Sequence, residues 1–298
     1  MILEVLHPDS NFLAIPENVS MLNNSEIVIV PAPYEHTTSF GKGAANGPDA
    51  ILQASAYVEF YDDEFDKEVC FEKGIATIHP IDFTNLIDEN AINSVYQVVK
   101  HLIKQKKFVV TLGGEHTIAI APIKAHYEEH LQMSLLQFDA HSDLRETYED
   151  SPYSHACAMA RVAEFLPTKN ITQVGIRAQC IEESQFIKAN NINTFYASGI
   201  RNHKYGENWV NEVVSTLNDE IYITFDLDAL DPSIIPSTGT PEPDGLTYKD
   251  IMDILGAIRN SNKRIVGFDV VELAPIQGLH HSELTAARLV YKMLNFIF

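Results

Sequence analysis

The chain has 298 residues, enough for one large α/β domain or two ordinary ones. At 45% hydrophobic and 21% charged it has a globular composition that can bury a sizeable core, which excludes an intrinsically disordered chain. A formal net charge of −20 sets it against nucleic acid and anionic membranes, whose phosphates it would repel; a cationic small molecule is compatible, although solubility is the commoner reason for an acidic surface.

In chain order, the N-terminal residues show no basic segment followed by an apolar one, so no secretory signal is visible. No apolar run approaches the ~18 residues of a membrane span. Glu26 to Ala32 reads as a first buried strand, and the glycine-rich loop from Pro33 to Pro48 precedes a helix from Asp49. That loop matches neither GxxxxGK[ST] nor GxGxxG, so it is not a phosphate cradle of either kind. Asp62 to Lys67 reads as a solvated acidic connector. A helix is expected near Asn90–Gln105, then a strand from Phe108 to Leu112 that ends in Gly113-Gly114-Glu115-His116. Another helix leads to a strand from Leu135 to Phe138. Ser154–Leu166 reads as helical, Ile171–Ile176 as a strand, Glu182–Ala189 and Asn208–Leu217 as helices, with Thr194–Tyr196 ambiguous between them. Ile221–Phe225 is a strand running into Asp226 and Asp228. Thr247 with Asp250 opens a helix as a capping box. Arg264–Val271 is the last strand, with Glu272 just past it. Leu284, Ala287, Tyr291, Leu294 and Phe298 share one face of a C-terminal helix and read as a core stripe.

Apolar strands alternating with helices, without a linker or repeat, predict a single domain over 1–298: an α/β fold with a mainly parallel sheet and helices on both faces. Three cysteines (Cys70, Cys157, Cys180), without CxxC spacing, read as reduced thiols of a cytoplasmic protein.

Ligands of open parallel sheets gather outside the carboxyl ends of the strands. Three strands end in candidate metal ligands: His116; Asp139, His141 and Asp143; and Asp226 with Asp228. Alternate residues of an extended chain project to one side, so DxHxD and DxD each present their groups together. A lone Asp-x-Asp is ordinarily a cap or turn, and a lone His a hydrogen-bonded structural residue. Three such sets at equivalent strand ends are harder to dismiss. Four aspartates in one pocket are prohibitive unless cations compensate. Carboxylate-rich ligation with imidazole and no thiolate favours two Mn²⁺ over Zn²⁺, Co²⁺, Ni²⁺ or Fe²⁺. Two ions about 3.5–4 Å apart would ionise a bridging water, the usual arrangement for metal-assisted hydrolysis. His155 is a candidate proton shuttle and Glu272 a candidate counter-charge for a cationic substrate; alone, each reads equally well as a surface or capping residue.

GGEHT (113–117), FDAHSDLRETYEDSPYSHA (138–156), FDLDALDPSIIPSTGTPEPDGLT (225–247) and GFDVVELAP (267–275) resemble the signature blocks of the ureohydrolase family, which includes arginases and agmatinases. PAPYEHTTSFGKGAANGPDAI (31–51) resembles its N-terminal glycine-proline loop. The resemblance implies a three-layer arginase-type fold and a dinuclear manganese centre. Asp139 and Asp226 would bridge the ions, His116 and Asp143 completing one and His141 and Asp228 the other. It further implies attack of a bridging hydroxide on the guanidinium carbon, with His155 protonating the leaving amine and Glu272 orienting the guanidinium. Family members often form trimers or hexamers, so a homo-oligomer is expected.

Arginases usually carry Asn two positions after the third DxHxD ligand, to hold an amino-acid head group. Here that position is Arg145. The run DLRETYEDSPYSHA is closest to the agmatinase branch, so agmatine cleaved to putrescine and urea is the expected reaction. Glu146, Glu149 and Asp150 are candidates to meet the amine tail. Arg145 pointing into the pocket would suit guanidinobutyrate or formiminoglutamate; paired to neighbouring glutamates it would not. Aminopropylagmatine is a second basic substrate. His280 and His281 replace a more usual Asp-containing turn, with unknown effect. Other classes are a non-catalytic relative that binds a guanidino ligand or a protein, against which all six ligands speak, and a one-zinc deacetylase, which has fewer carboxylates.

Overall fold

Every strand run but the edge strand Asn193–Tyr196 is almost wholly buried, as expected of a sheet covered on both faces. The strands are β1 (Ile27–Ala32), β2 (Ile75–Thr77), β3 (Phe108–Gly113), β4 (Ser134–Phe138), β5 (Ile171–Ile176), β6 (Asn193–Tyr196), β7 (Glu220–Asp226) and β8 (Arg264–Val271). In the computed structural model, which describes residues 3–298, they form one sheet in the order β2-β1-β3-β8-β7-β4-β5-β6, and every pairing is parallel.

Side-chain alternation sends Ile27 and Ile29 to one face and Val28, Val30 and Ala32 to the other. The first face is covered by helices Gly47–Ser55, Trp209–Ser215, Tyr248–Asn260 and His281–Ile297. The second is covered by Asp88–Lys104, Ile120–Glu129, Ala158–Val162 and Ile181–Asn190. The result is three layers and two cores. The Asp88–Lys104 helix shows the logic: Ala91, Ile92, Val95, Val98, Val99 and Leu102 recur at helical spacing and are all buried. Each of the larger ones contributes roughly 1.5–3 kcal/mol by leaving water.

The Thr247 capping box is present: Asp250 N–H donates to Thr247 Oγ1 at 3.1 Å, and Thr247 N–H donates to Asp250 Oδ2 at 2.8 Å. Three expectations are corrected. Asp62 is not solvated; it is buried and accepts from Lys292 Nζ at 2.9 Å, which ties the acidic connector to the C-terminal helix. Ser154–Leu166 yields only a 3-10 turn (His155–Cys157) and one helical turn and a half, Ala158–Val162. Leu284 is 42% exposed: in the first turn of the His281–Ile297 helix it is Ser282 and Glu283 that are buried, and Leu284 faces outward. The three-residue strand β2 was not anticipated, being too short for a periodic signal. The Thr194–Tyr196 ambiguity resolves as edge strand β6.

One row of the sheet is polar. Thr111, Asp269, Thr224, Gln137, Gln173 and Thr194 are register partners across β3, β8, β7, β4, β5 and β6. Two residues further on lie the strand ends, where β7 and β4 deliver Asp226 and Asp139.

Candidate metal centre

The strands that deliver the ligands are consecutive in the sheet (β3, β8, β7, β4), though they are far apart in sequence. β3 passes into His116, β4 into Asp139, His141 and Asp143, β7 into Asp226 and Asp228, and β8 into Glu272. Gly114 makes the first turn possible: a Cβ there would lie 2.0 Å from the Tyr34 carbonyl oxygen, so only glycine lets the two segments pass.

Two ligand groups result, and they share Asp139. His116, Asp139 and Asp226 present donor atoms to one point, and Asp139, His141 and Asp228 to another. His116 Nδ1 lies 3.0 Å from Asp139 Oδ2, 3.0 Å from Asp143 Oδ2 and 3.3 Å from Asp226 Oδ2. His141 Nδ1 lies 2.9 Å from Asp228 Oδ2 and 3.7 Å from Asp139 Oδ1. Asp143 (φ 52°) and Glu272 (φ 67°) both adopt left-handed backbone, a conformation costing of order 1–3 kcal/mol, held by the surrounding structure at a functional site.

The buried charge is uncompensated by protein cations alone. Burial, with Asp228 and Asp139 nearby, pushes the Asp226 carboxyl well above its ordinary range. Burial and the Asp139 charge raise Asp143 to about 6. Burial raises Asp139 too, but the imidazoles of His116 and His141 outweigh it and hold that carboxyl low. Burial lowers His116 and His141, yet the surrounding aspartates more than reverse this, holding His141 up at about 12. The pocket attracts positive charge by whatever means is at hand.

The residues fit a metal pair on an independent observation. His116 Nε2 meets Thr224 Oγ1 at 2.9 Å, and Thr224 Oγ1 donates onward to Asp269 Oδ1 at 2.8 Å. The threonine proton is thus committed, so Nε2 carries a proton toward Thr224 and Nδ1 is the ring atom turned to the carboxylates, where a proton or a metal ion would sit. That Nδ1 is buried without a hydrogen bond and faces the carboxylate oxygens. An orphaned buried imidazole nitrogen, its ring held from behind, is the pattern of a metal ligand.

Around the clusters lies a cavity of about 240 Å³ lined by His141, Asp143, Asp226, Asp228, His155, Glu272, Arg145, Tyr148, Glu183, Glu242 and others. Glu272 is buried, its Oε1 accepting from the His116 N–H at 2.6 Å, and burial with neighbouring Glu115 raises its carboxyl well above the usual range. His155 Nδ1 is 3.2 Å from Thr37 Oγ1.

Of the tail candidates, only Arg145 reaches this cavity. Its guanidinium stacks 5.0 Å over the Tyr148 ring, and its Nε lies 3.9 Å from Glu183. Glu146 turns away to Arg161 at 3.0 Å, and Glu149 and Asp150 are exposed around a turn outside the lining. His280 and His281 are also outside it; His281 Nε2 meets the Ile234 carbonyl at 2.8 Å.

Residues 25–295 match the model of the arginase family. The chain belongs to the arginase family. It is 35% identical over 287 residues to N(1)-aminopropylagmatine ureohydrolase of Synechocystis sp., covering 94% of this chain and 92% of that one. It is 33% identical over 278 residues to agmatinase of Bacillus anthracis, covering 91% of each. Among solved structures, agmatine ureohydrolase of Thermoplasma volcanium superposes with a TM-score of 0.83 at 26% identity, over 96% of this chain and 94% of that one. The sheet with helices on both faces is the arginase-type fold, and the chain is a hydrolase of the class that acts on guanidino compounds. Among the described residues no helix is long and apolar enough to cross a membrane.

Several contributors escaped the sequence reading. Glu115, Thr224, Asp269, Gln137 and Gln173 all carry polar groups inside apolar strands or beside a ligand, which was the available signal. Arg177 is another: its guanidinium donates to the carbonyls of Asp228 (2.7 Å), Glu242 (2.8 Å) and Pro243 (3.0 Å), joining the second ligand loop to the cavity rim. No local pattern around Arg177 announces this.

Proposed function

We propose that this chain hydrolyses agmatine to putrescine and urea. The observation that carries the reading is that two Asp/His groups sharing Asp139 present His141, Asp143, Asp226 and Asp228 to the same cavity as the buried carboxylate of Glu272. His116, Asp139, Asp143 and Asp226 would hold one divalent cation, and Asp139, His141, Asp228 and Asp226 the other, with Mn²⁺ the metal that suits these ligands. Such cations offset the carboxylate charge and ionise water at neutral pH.

The remaining work belongs to the protein. Glu272 is a fixed buried carboxylate with Oε1 anchored on the His116 N–H, which leaves Oε2 to receive a guanidinium N–H. Breaking the C–N bond requires a proton on the departing amine. His155 lines the same cavity, and with Nδ1 turned to Thr37, Nε2 is the atom that delivers it. Arg145 is stacked on Tyr148 beside Glu183, which favours a substrate without a carboxylate tail. Glu183 and Glu242, instead of Glu146 and Glu149, are then the acidic groups nearest an amine tail.

Aminopropylagmatine is the second reading, favoured by the 35% identity to the Synechocystis enzyme of that name. On either reading we infer a homo-oligomer in the cytoplasm; light scattering of the purified protein tests the assembly, and cell fractionation the location. The function is tested by release of urea from agmatine, aminopropylagmatine, guanidinobutyrate and arginine after reloading with Mn²⁺. The highest kcat/KM is expected on agmatine. Preference for guanidinobutyrate would make Arg145 a tail-binding residue, and no urea from any of them would overturn the assignment.

A further inference from the structure

Beneath the ligands, the polar row of the sheet contains a hydrogen-bonded chain with one direction. Thr194 Oγ1 donates to Gln173 Oε1 at 3.0 Å, Gln173 Nε2 donates to Gln137 Oε1 at 2.8 Å, and Gln137 Nε2 donates to Asp139 Oδ2 at 2.8 Å. The two amides also hold the backbone of the ligand loop: Gln137 Nε2 reaches the His141 carbonyl at 3.3 Å, and Gln173 Nε2 the Ser142 carbonyl at 3.0 Å. Both glutamines are fully buried.

The direction is forced. An ionised Asp139 can only accept, so Gln137 must present its NH₂ there and its oxygen to β5. Gln173 must then present its NH₂ to Gln137, and its oxygen to the edge strand, where Thr194 supplies the last donor. Reversing either amide would set oxygen against oxygen at Asp139, His141 or Ser142. Asp139 is the carboxylate common to both ligand groups. Its Oδ2 faces His116, while its Oδ1 accepts from the His141 N–H at 2.6 Å and faces His141 Nδ1. Holding Oδ2 therefore decides which oxygen serves which group.

We propose that Gln137, Gln173 and Thr194 are positioning residues for the metal pair: a relay across three strands that locks the Asp139 carboxylate and the 139–143 backbone in the geometry needed to hold two divalent cations. This rests on the metal-dependent reading above. Outer hydrogen bonds of this kind typically alter metal affinity by about 10–100-fold.

The test is Mn²⁺ binding to the metal-stripped full-length protein, followed by the loss of the free-ion electron paramagnetic resonance signal, so that activity is not the readout. The wild-type chain should take up two ions. Gln137→Leu and Gln173→Leu should weaken uptake of at least one ion by about 10–100-fold. Thr194→Val, remote from the ligands on the edge strand, should weaken it in the same direction by a few-fold, and Thr194→Ser, which restores the hydroxyl, should recover it. If the leucine variants do not fold, the Thr194 pair decides. Affinities within about twofold of wild type in every folded variant would overturn the proposal, and so would equal weakening by Thr194→Val and Thr194→Ser, because packing would then be the cause. A wild-type chain that binds no pair of ions would instead refute the metal-dependent reading itself.

Discussion

Glu115 and Thr37, far apart in sequence, are joined by two hydrogen bonds: the Thr37 N–H donates to Glu115 Oε2 at 2.7 Å, and Thr37 Oγ1 donates to Oε1 at 2.9 Å. Glu115 also accepts from the His36 N–H at 2.8 Å and from Thr117 Oγ1 at 2.9 Å, so a fully buried carboxylate has every lone pair in use. Because the Thr37 hydroxyl also meets His155 Nδ1, Glu115 fixes the imidazole proposed above as the proton donor. Glu115→Leu should strand two part-buried backbone N–H groups and two hydroxyls and destabilise the fold by about 2–3 kcal/mol. Glu115→Gln keeps an oxygen for the N–H groups, since the two hydroxyls can reverse to accept from its NH₂, and should cost about 1 kcal/mol. Urea-melting midpoints of the two variants check the contrast.

Asp226 lies 3.3 Å from His116 Nδ1 in the first ligand group. Asp226→Asn should lower kcat by more than the roughly 100-fold that outer residues cost. Its metal-free form should melt at or above the metal-free wild type, because a neutral amide replaces a buried acid whose ionisation the pocket resists. Full activity in this variant would sink the two-cation mechanism.

Arg177 joins the loop after β7 to the 242–243 rim through donations to the carbonyls of Asp228, Glu242 and Pro243. A lysine has a single ammonium with three donors and no planar fork, so Arg177→Lys should leave several buried carbonyls unpaired. A loss of about 2–3 kcal/mol in stability is expected. KM should rise more than kcat falls, because the Glu242 rim is displaced while the His116 group is not. Steady-state kinetics alongside thermal melting distinguishes this from a general loss of fold.

His126 gives a pH signature away from the metal ligands. Burial drives its imidazole down to about 4; Nδ1 is committed to the Pro122 carbonyl at 2.8 Å, and Nε2 has no partner. Its folded value lies below the unfolded 6.5, so between those values the unfolded chain binds more protons. Stability from this residue is therefore intact above about pH 6.5 and declines as pH falls toward about 4, by up to roughly 3 kcal/mol. In His126→Met the stability-against-pH curve should be flatter over that window by this amount. Equal slopes for variant and wild type would show that His126 is not held neutral.

The sequence by itself determined the parallel α/β layering and the ligand types, because both are local: apolar runs of strand length set the sheet, and alternation at DxHxD and DxD presents groups to one side. It also indicated His155 and Glu272 through the long family-like motifs. It did not determine which glutamates meet the cavity. Glu146 and Glu149 follow the ligands closely in sequence, yet the turn after Arg145 carries them outward, while Glu183 and Glu242 arrive from distant loops. Nor did it reveal that Asp62 is buried, since its partner Lys292 lies at the other end of the chain. Strand order was decided only in three dimensions, by which faces could be buried together. That order places β3, β8, β7 and β4 side by side, merges three separate motifs into two groups sharing Asp139, and aligns Gln137, Gln173 and Thr194 beneath them. Register is a property of paired strands, so no single stretch of this sequence contains it.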